Sequence, residues 1–338
     1  MVKPRAGTVL RFLVNEYIAT ATPVASESLA RRAGLGVSPA TVRNDMAELE
    51  EEGYIVRPHI SAGGVPSDKG YRYYVESLEA PHEPPPEVQQ RVRQRFGSVE
   101  QEWEAWVRLA ATVLSGLTSN LALVTLPWAV RSRLRHLELV YLQEFLALLI
   151  VVLQEARLRQ QLLPLPEAVG REELERAANK LNTLYAGQGC TEIAQKAAEL
   201  SPFEALVRDR ALALMRTEEE QRAVDHAVDG LRLLLSQPEF QLGDKAREVA
   251  EALEEQVLLR YLLSETPQQG EVRVVIGSEN REEMLRSFGV VFCRYGLPGD
   301  AVGIMGVVGP TRMPYNTTIG SMRFIASFMG EMVASTHG

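Results

Sequence analysis

The 338-residue chain predicts an α+β fold in several parts, and three observations carry that expectation. Helical periodicity fills residues 9–53 and closes on a short strand and a glycine-rich loop. Strand periodicity occupies 121–163 and returns over 271–308, and a mostly helical stretch lies between the two strand regions. The composition agrees. With 46% hydrophobic and 24% charged residues the chain suits a globular protein, and no run reaches the ~20 apolar residues of a membrane-spanning helix, the longest being Phe145 to Leu153. No secretory core follows the basic start Met1-Val2-Lys3-Pro4-Arg5, so the cytoplasm is the expected compartment. Cys190 and Cys293, far apart, exclude a disulfide framework or a cysteine-rich zinc site and read as buried thiols.

At the N-terminus Val9, Leu10, Leu13, Val14, Tyr17 and Ile18 recur at helical intervals, and Thr20-Ala21-Thr22-Pro23 ends that helix. Ser26 caps a second, short helix through Ala33, and Gly34-Leu35-Gly36 gives the freedom for a tight turn. Ser38 caps the third, with Pro39 at its first position, Val42, Met46 and Leu49 on its core face, and Gly53 as its stop. Arg43, Asn44 and Ala47 are left on the open side. Two helices joined in this way make a helix-turn-helix, and the next segment gives it a wing: Tyr54-Ile55-Val56-Arg57 as strand, His59 to Pro66 as loop, and Ser67 as cap of a last helix with Tyr71, Tyr74, Val75 and Leu78 inward.

The net charge of −8 disfavours indiscriminate binding to polyanions, but it is unevenly spread. Residues 1–78 hold nine basic and nine acidic side chains, whereas residues 1–43 are +4, with Lys3, Arg5, Arg11, Arg31, Arg32 and Arg43 against Glu16 and Glu27. A helix start with Ser38, Thr41, Arg43 and Asn44 offers phosphate-binding N–H groups, a hydroxyl, and the side chains suited to guanine and adenine edges. Glu48 and Glu50 to Glu52 at the far end would be repelled by phosphates, which orients the helix. The expected DNA-binding set is therefore Ser38, Pro39, Thr41, Arg43 and Asn44 on the third helix, Arg57, His59 and Ser61 by the wing, and Lys69 and Arg72 beyond it. The competing reading is a winged helix used for protein contact, with Arg43 merely solvated.

The run Val37-Ser38-Pro39-Ala40-Thr41-Val42-Arg43-Asn44-Asp45-Met46-Ala47-Glu48-Leu49-Glu50, with Gly53-Tyr54, Pro58-His59, Ser61-Ala62-Gly63 and Asp68-Lys69-Gly70-Tyr71-Arg72-Tyr73-Tyr74-Val75, resembles the HrcA family of heat-inducible transcription repressors. Ile276-Gly277-Ser278-Glu279-Asn280 and the run from Gly303 to Tyr315 carry the resemblance to the other end of the chain. It implies a dimeric repressor of bacterial chaperone operons that binds an inverted-repeat operator of the CIRCE type, is released on heat stress, and is kept active by the GroEL chaperonin. It also implies a winged helix, a GAF-like domain, and a dimerising domain inserted into the latter. Two positions depart from the family pattern: Gly64 replaces a usual basic residue and Ile60 a usual Thr. A wing without that basic side chain is expected to make one contact fewer.

Pro81-His82-Glu83-Pro84-Pro85-Pro86 reads as a stiff solvated linker. Helix continues on both sides of Gly97, with Ser98 and Gln101 as a capping box. Strands over 121–126, 134–142, 146–154 and 157–163 form a meander, helix returns at Glu172 to Tyr185, and helical patterns through Leu200, Leu206, Leu212, Leu214, Leu231, Leu234, Val249, Leu253 and Leu258 run to Ser264. Strands resume at 271–276, 289–294 and 301–308 before a closing helix from Thr311 to Ala334. The expected division is a winged helix at 1–79, linker and helix at 80–110, a GAF-like α/β sheet domain at 111–187 with 265–338, and a mostly helical dimerisation domain at 188–264.

Enzyme chemistry finds no support. Gly303, Gly306 and Gly309 lack the spacing of a dinucleotide or phosphate loop and read as close-packing or turn glycines. The five histidines are scattered, with no His-Glu-x-x-His, Cys-x-x-Cys or Gly-x-Ser-x-Gly, so no catalytic site, cofactor or metal is expected. Thr311, Arg312 and Tyr315 admit two readings, an anion site or a structural pin. The alternative function is a ligand-responsive winged-helix regulator with a small molecule in the GAF-like domain.

Overall fold

The structure is a computed structural model that describes residues 2–32, 36–59, 62–99, 102–129, 133–154, 158–221, 225–241, 251, 257–265, 267–268, 270–297 and 301–337. It divides into two compact units, Met1–Leu126 with His226–Gly296 and Gly303–Gly338, and Pro127–Asp225 with Leu297–Val302.

The first unit opens with α1 (Pro4–Thr20), which buries Ala6, Val9, Leu10, Leu13 and Val14 and stops at Ala21, whose left-handed φ of 51° breaks the helix. Helices α2 (Ser26–Arg32) and α3 (Pro39–Glu51) come next. Strands β1 (Ile55–Val56) and β2 (Val65–Pro66) pair antiparallel, Ile55 with Pro66, and lead to α4 (Asp68–Glu76). The core stripe of α3 is Val42, Met46 and Leu49, each worth about 2 kcal/mol of burial against α1 and α2. α5 (Pro86–Gly97), α6 (Trp103–Thr118) and the wholly buried strand β3 (Leu121–Thr125) complete the first passage. Gln101, the far half of the expected capping box, lies outside the described residues.

The second unit holds β4 (Trp128–Ala129), then an antiparallel meander of β5 (Leu134–Gln143), β6 (Leu146–Leu153) and β7 (Leu158–Pro164), and helices α7 (Arg171–Tyr185), α8 (Cys190–Gln195) and α9 (Pro202–Gln221). One face of the meander, with Leu137, Leu139, Leu149, Val151 and Leu163, packs with Leu174 and Leu181 of α7 and Val207 and Met215 of α9. The sequence reading puts the insert at 188–264 and makes it mostly helical. The compact unit instead starts at 127, ends at 225, and contains the meander. The reason is hydrogen bonding: β5, β6 and β7 form their own three-stranded sheet and bury their apolar face on helices of the same unit.

The chain re-enters the first unit with β8 (His226–Asp229), α10 (Leu231–Leu235), α11 (Val257–Ser264), β9 (Val272–Ile276), β10 (Phe288–Gly296), β11 (Ala301–Pro310) and α12 (Tyr315–His337). The large sheet runs in the order β8-β3-β11-β10-β9, and Ala301 and Val302, the first two residues of β11, belong to the second unit, where they pair with β4. β8 corrects the helical reading of this stretch. Four residues are too short to show a period, and they become strand by pairing Ala122 with Asp229 and Thr125 with His226 along the edge of β3. Val249 and Leu253 lie outside the described residues. The close-packing role expected of Gly303, Gly306 and Gly309 holds, since a Cβ at each would collide with Tyr295, Leu262 or Asn120. Cys293 is buried in β10, and burial pushes its thiol up to about 12.

Candidate nucleic-acid interface

The third helix begins as its sequence dictates. The Ser38 hydroxyl accepts a hydrogen bond from the Thr41 backbone N–H at 3.2 Å and lies 3.0 Å from the Thr41 hydroxyl, while Pro39 fills a first-turn position. Arg43, Asn44 and Ala47 are exposed on one side and Val42, Asp45, Met46 and Leu49 are buried on the other. Among the described residues neither Arg43 nor Asn44 makes a side-chain hydrogen bond or an ion pair, so both are available to a base edge or a phosphate.

Two basic residues of the expected N-terminal patch do other work. Arg5 grips the buried Asp45 carboxylate with two bonds of 2.9 and 2.8 Å, and Lys3 pairs with Glu48 at 2.7 Å. Asp45 raises the pKa of Arg5, chiefly through that hydrogen bonding. These contacts fasten α3 to the start of α1. Lys3 and Arg5 stay exposed but are engaged by carboxylates, and among the described residues Arg11, Arg31 and Arg43 are exposed cations of the patch with no carboxylate partner. The sequence carries a signal for this that the charge count overlooks: Asp45 sits on the apolar stripe, three residues after Val42 and four before Leu49, where a carboxylate needs a partner.

The wing is seated on the core. Gly64 exchanges both backbone bonds with Val24, each at 2.9 Å, and a Cβ on Gly64 would point between Leu13, Met46 and Ile55 at 3.0 to 3.1 Å. Position 64 therefore faces inward, and the expectation that Gly64 removes a DNA contact is corrected: its side-chain direction is the core. His59 is exposed at the turn, with its carbonyl accepting from Ala62 N–H at 2.9 Å. Arg57 is mostly covered and pairs with Glu50 at 3.1 Å. Ser61 and Ile60 lie outside the described residues.

The remaining two members of the expected set are occupied. Lys69 donates to the Glu52 carbonyl at 2.7 Å and sits 4.2 Å over the ring of Tyr54, which caps the acidic end of α3. Arg72 belongs to a different contact altogether. Its guanidinium pairs with both oxygens of Glu279 and donates to the Val274 carbonyl at 2.7 Å, which ties α4 to the end of β9. Beside it the Asp68 carboxylate accepts from the backbone N–H and the hydroxyl of Ser278 at 2.9 and 2.8 Å. Gly277 makes the approach possible, because its φ is +52° and any Cβ there would collide with Asp68.

A second tie joins the end of α1 to the turn before α12. Arg312 donates to the Ile18 carbonyl at 3.0 Å and to Gln237 at 3.2 Å, and is ion-paired with Glu239. Tyr315 donates to the Thr311 carbonyl at 2.7 Å, and its ring lies 6.1 Å from that of Tyr71. This supports the structural reading of Thr311, Arg312 and Tyr315. The linker is held as well, with the His82 N–H donating to the Asn316 side chain at 2.9 Å. Ser38, Pro39, Thr41, Arg43 and Asn44 thus lie together on the first two turns of α3, and His59 is exposed on the wing turn, whereas Arg57, Lys69 and Arg72 hold other parts of the protein.

Comparison with known proteins agrees across the chain. The family model "HrcA protein C terminal domain" matches residues 104–319, and that of a "DeoR-like helix-turn-helix domain" matches residues 15–69. The chain is 40% identical to a "Heat-inducible transcription repressor HrcA" of Dehalococcoides mccartyi over 338 residues, covering 100% of this chain and 98% of that protein. It is 39% identical to a repressor of the same name from Herpetosiphon aurantiacus over 342 residues, covering 99% and 96%. A crystal structure described as that of a hypothetical protein at 2.2 Å resolution superimposes with a TM-score of 0.58 at 24% identity, over 99% of this chain and 98% of that one, and shares the fold.

Proposed function

The chain belongs to the HrcA family, and from that premise we propose that it is a heat-inducible transcription repressor that binds, as a dimer, an inverted-repeat operator of the CIRCE type upstream of chaperone operons. The observation that carries this reading is the α3 surface: Arg43 and Asn44, exposed and engaged with no other described side chain, project from a Ser38-capped helix in a helix-turn-helix. The Ala40 N–H, with Pro39 lacking a donor and the Thr41 N–H held by Ser38, joins the Thr41 hydroxyl in clamping a phosphate, and Arg43 and Asn44 reach the base edges. The wing turn at His59 lies against the adjacent backbone.

The dimer reading rests on the outer face of the meander. Leu142, Phe145, Leu158 and Leu162 are 47–56% exposed, and the register places Val140, Leu148 and Leu162 in one row and Val152 and Leu158 in another. The opposite face is the one the helices cover. An apolar strip of this kind suits a two-fold contact in which the same patch serves both subunits. The dimerising part is thus the strand-rich unit, with the large sheet of the first unit taking the GAF-like part. As in the resemblance, the GroEL chaperonin maintains the active form.

Fluorescence anisotropy with a labelled inverted-repeat duplex and a scrambled one, titrated at several salt concentrations and then heated, tests the proposal. The expected result is tight binding to the repeat alone, a log–log salt slope of several phosphates, and abrupt loss on heating. Equal weak binding to both duplexes, with and without chaperonin, would overturn it.

A further inference from the structure

The contacts that join the winged helix to the large sheet belong to neither the DNA surface nor the dimer face, and they are unusually specific. At one place Asp68 and Arg72, one turn apart on α4, grip three consecutive residues, Gly277, Ser278 and Glu279, with Arg72 reaching Val274 as well. Glu279 is itself oriented, because it also accepts from the Ile276 N–H at 2.9 Å. At another place Arg312 reaches the last turn of α1 through the Ile18 carbonyl. Tyr71 and Tyr315 are both buried between these two ties. One tie would leave a swivel and two leave only rotation about the line that joins them, which the buried Tyr71–Tyr315 contact opposes.

We infer that this joint, through Asp68, Arg72, Ser278 and Glu279, fixes the orientation of the recognition helix against the large sheet and so sets which half-site spacing the repressor accepts. The inference rests on the dimeric repressor reading. In a two-fold dimer each recognition helix is carried by its own large sheet, so a rigid joint adds no freedom of its own to the separation and angle of the pair. A loosened joint lets each winged helix find its half-site independently. Asp68, Arg72, Ser278 and Glu279 are positioning residues in this scheme, remote from the bases they help to select.

The experiment compares the unmodified protein with Arg72→Met and with Asp68→Ala, which cut different bonds of the same joint. Each is titrated on a duplex with one half-site and on inverted repeats whose half-sites are moved apart by about half a helical turn and about a full turn. For the unmodified protein, affinity is expected to fall at least about tenfold at half a turn, since the second half-site is then on the opposite side of the duplex. Both variants are expected to lose less than about threefold over the same series, with single half-site affinity unchanged and thermal unfolding still cooperative. A spacing profile as sharp in both folded variants as in the unmodified protein would overturn the inference and leave the repressor reading intact. Loss of single half-site affinity in step with the repeats would also overturn it, by placing these residues inside the DNA-reading surface. No preference of the unmodified protein for any inverted repeat would overturn the repressor reading and the inference together.

Discussion

Arg43 and Arg5, both arginines of the winged helix and both exposed, have opposite tasks. Arg43 is expected to carry base recognition, so Arg43→Ala should cost about 1 to 3 kcal/mol in binding to the repeat and much less on scrambled duplex, as read in paired anisotropy titrations. Arg5 acts on the protein itself by holding Asp45, a carboxylate set among Val42, Met46 and Leu49. Cys293 offers a different test. Its native thiol keeps its proton up to about 12, while an unfolded thiol releases it near about 8.5. Between those values the unfolded chain binds fewer protons than the native one. The stability gained from the buried neutral thiol is therefore complete below about pH 8.5 and declines by roughly 1.4 kcal/mol per unit above it. Urea midpoints should fall as pH rises from 9 towards 12, and Cys293→Ala should fall less steeply over the same interval.

Among the elements, the exposed face of the meander makes the sharpest prediction. Leu158 and Leu162 lie on β7 with their side chains more than half exposed, so Leu158→Glu with Leu162→Glu should leave the fold of the unit intact. Two carboxylates per subunit brought together across a two-fold axis are expected to convert the dimer to a monomer at micromolar concentration. Sedimentation equilibrium measures this, and a dimer of undiminished affinity would remove the face from the interface. These elements also show how far sequence reasoning reaches. The start of α3 was legible because Ser38 and Pro39 act on their own helix, as were the core tyrosines of α4 at helical spacing. The exposure of Arg43 and Asn44 opposite the core stripe of α3 was legible too, since it follows from helical spacing alone. Arg72 was not, because its partner Glu279 is 207 positions away. β8 failed for the same reason on a smaller scale, its identity being decided by the edge of β3. The inward direction of Gly64 depends on the bridge to Val24, which no local pattern records.

In the molecule as a whole, the winged helix and the large sheet belong to one compact unit although a proline-rich segment separates them in sequence. Arg312, 13% exposed, is the clearest link between them, and removing it leaves Glu239 partly buried with its cation gone. Arg312→Ala is expected to cost about 2 kcal/mol, less than a fully buried pair because Glu239 retains some solvent. In scanning calorimetry the winged helix should then melt ahead of the sheet as a separate transition. The central strand pairing has a further consequence, one of timing. Thr125 of β3 bonds to Ile304 of β11 across 179 positions, through its hydroxyl at 3.2 Å and through the Ile304 N–H at 2.9 Å. At ~5–20 residues per second, the ribosome delivers β11 roughly 10 to 40 seconds after β3. For that interval β3, apolar on both faces, lacks its β11 neighbour, and for roughly the first half of it β8 as well, while the winged helix is already complete. Each newly made molecule thus passes through a stage in which its first 78 residues can fold before their seat at Ser278, Glu279 and Arg312 exists. During this stage the unpaired strand is the segment most open to capture, by another nascent chain or by a chaperone.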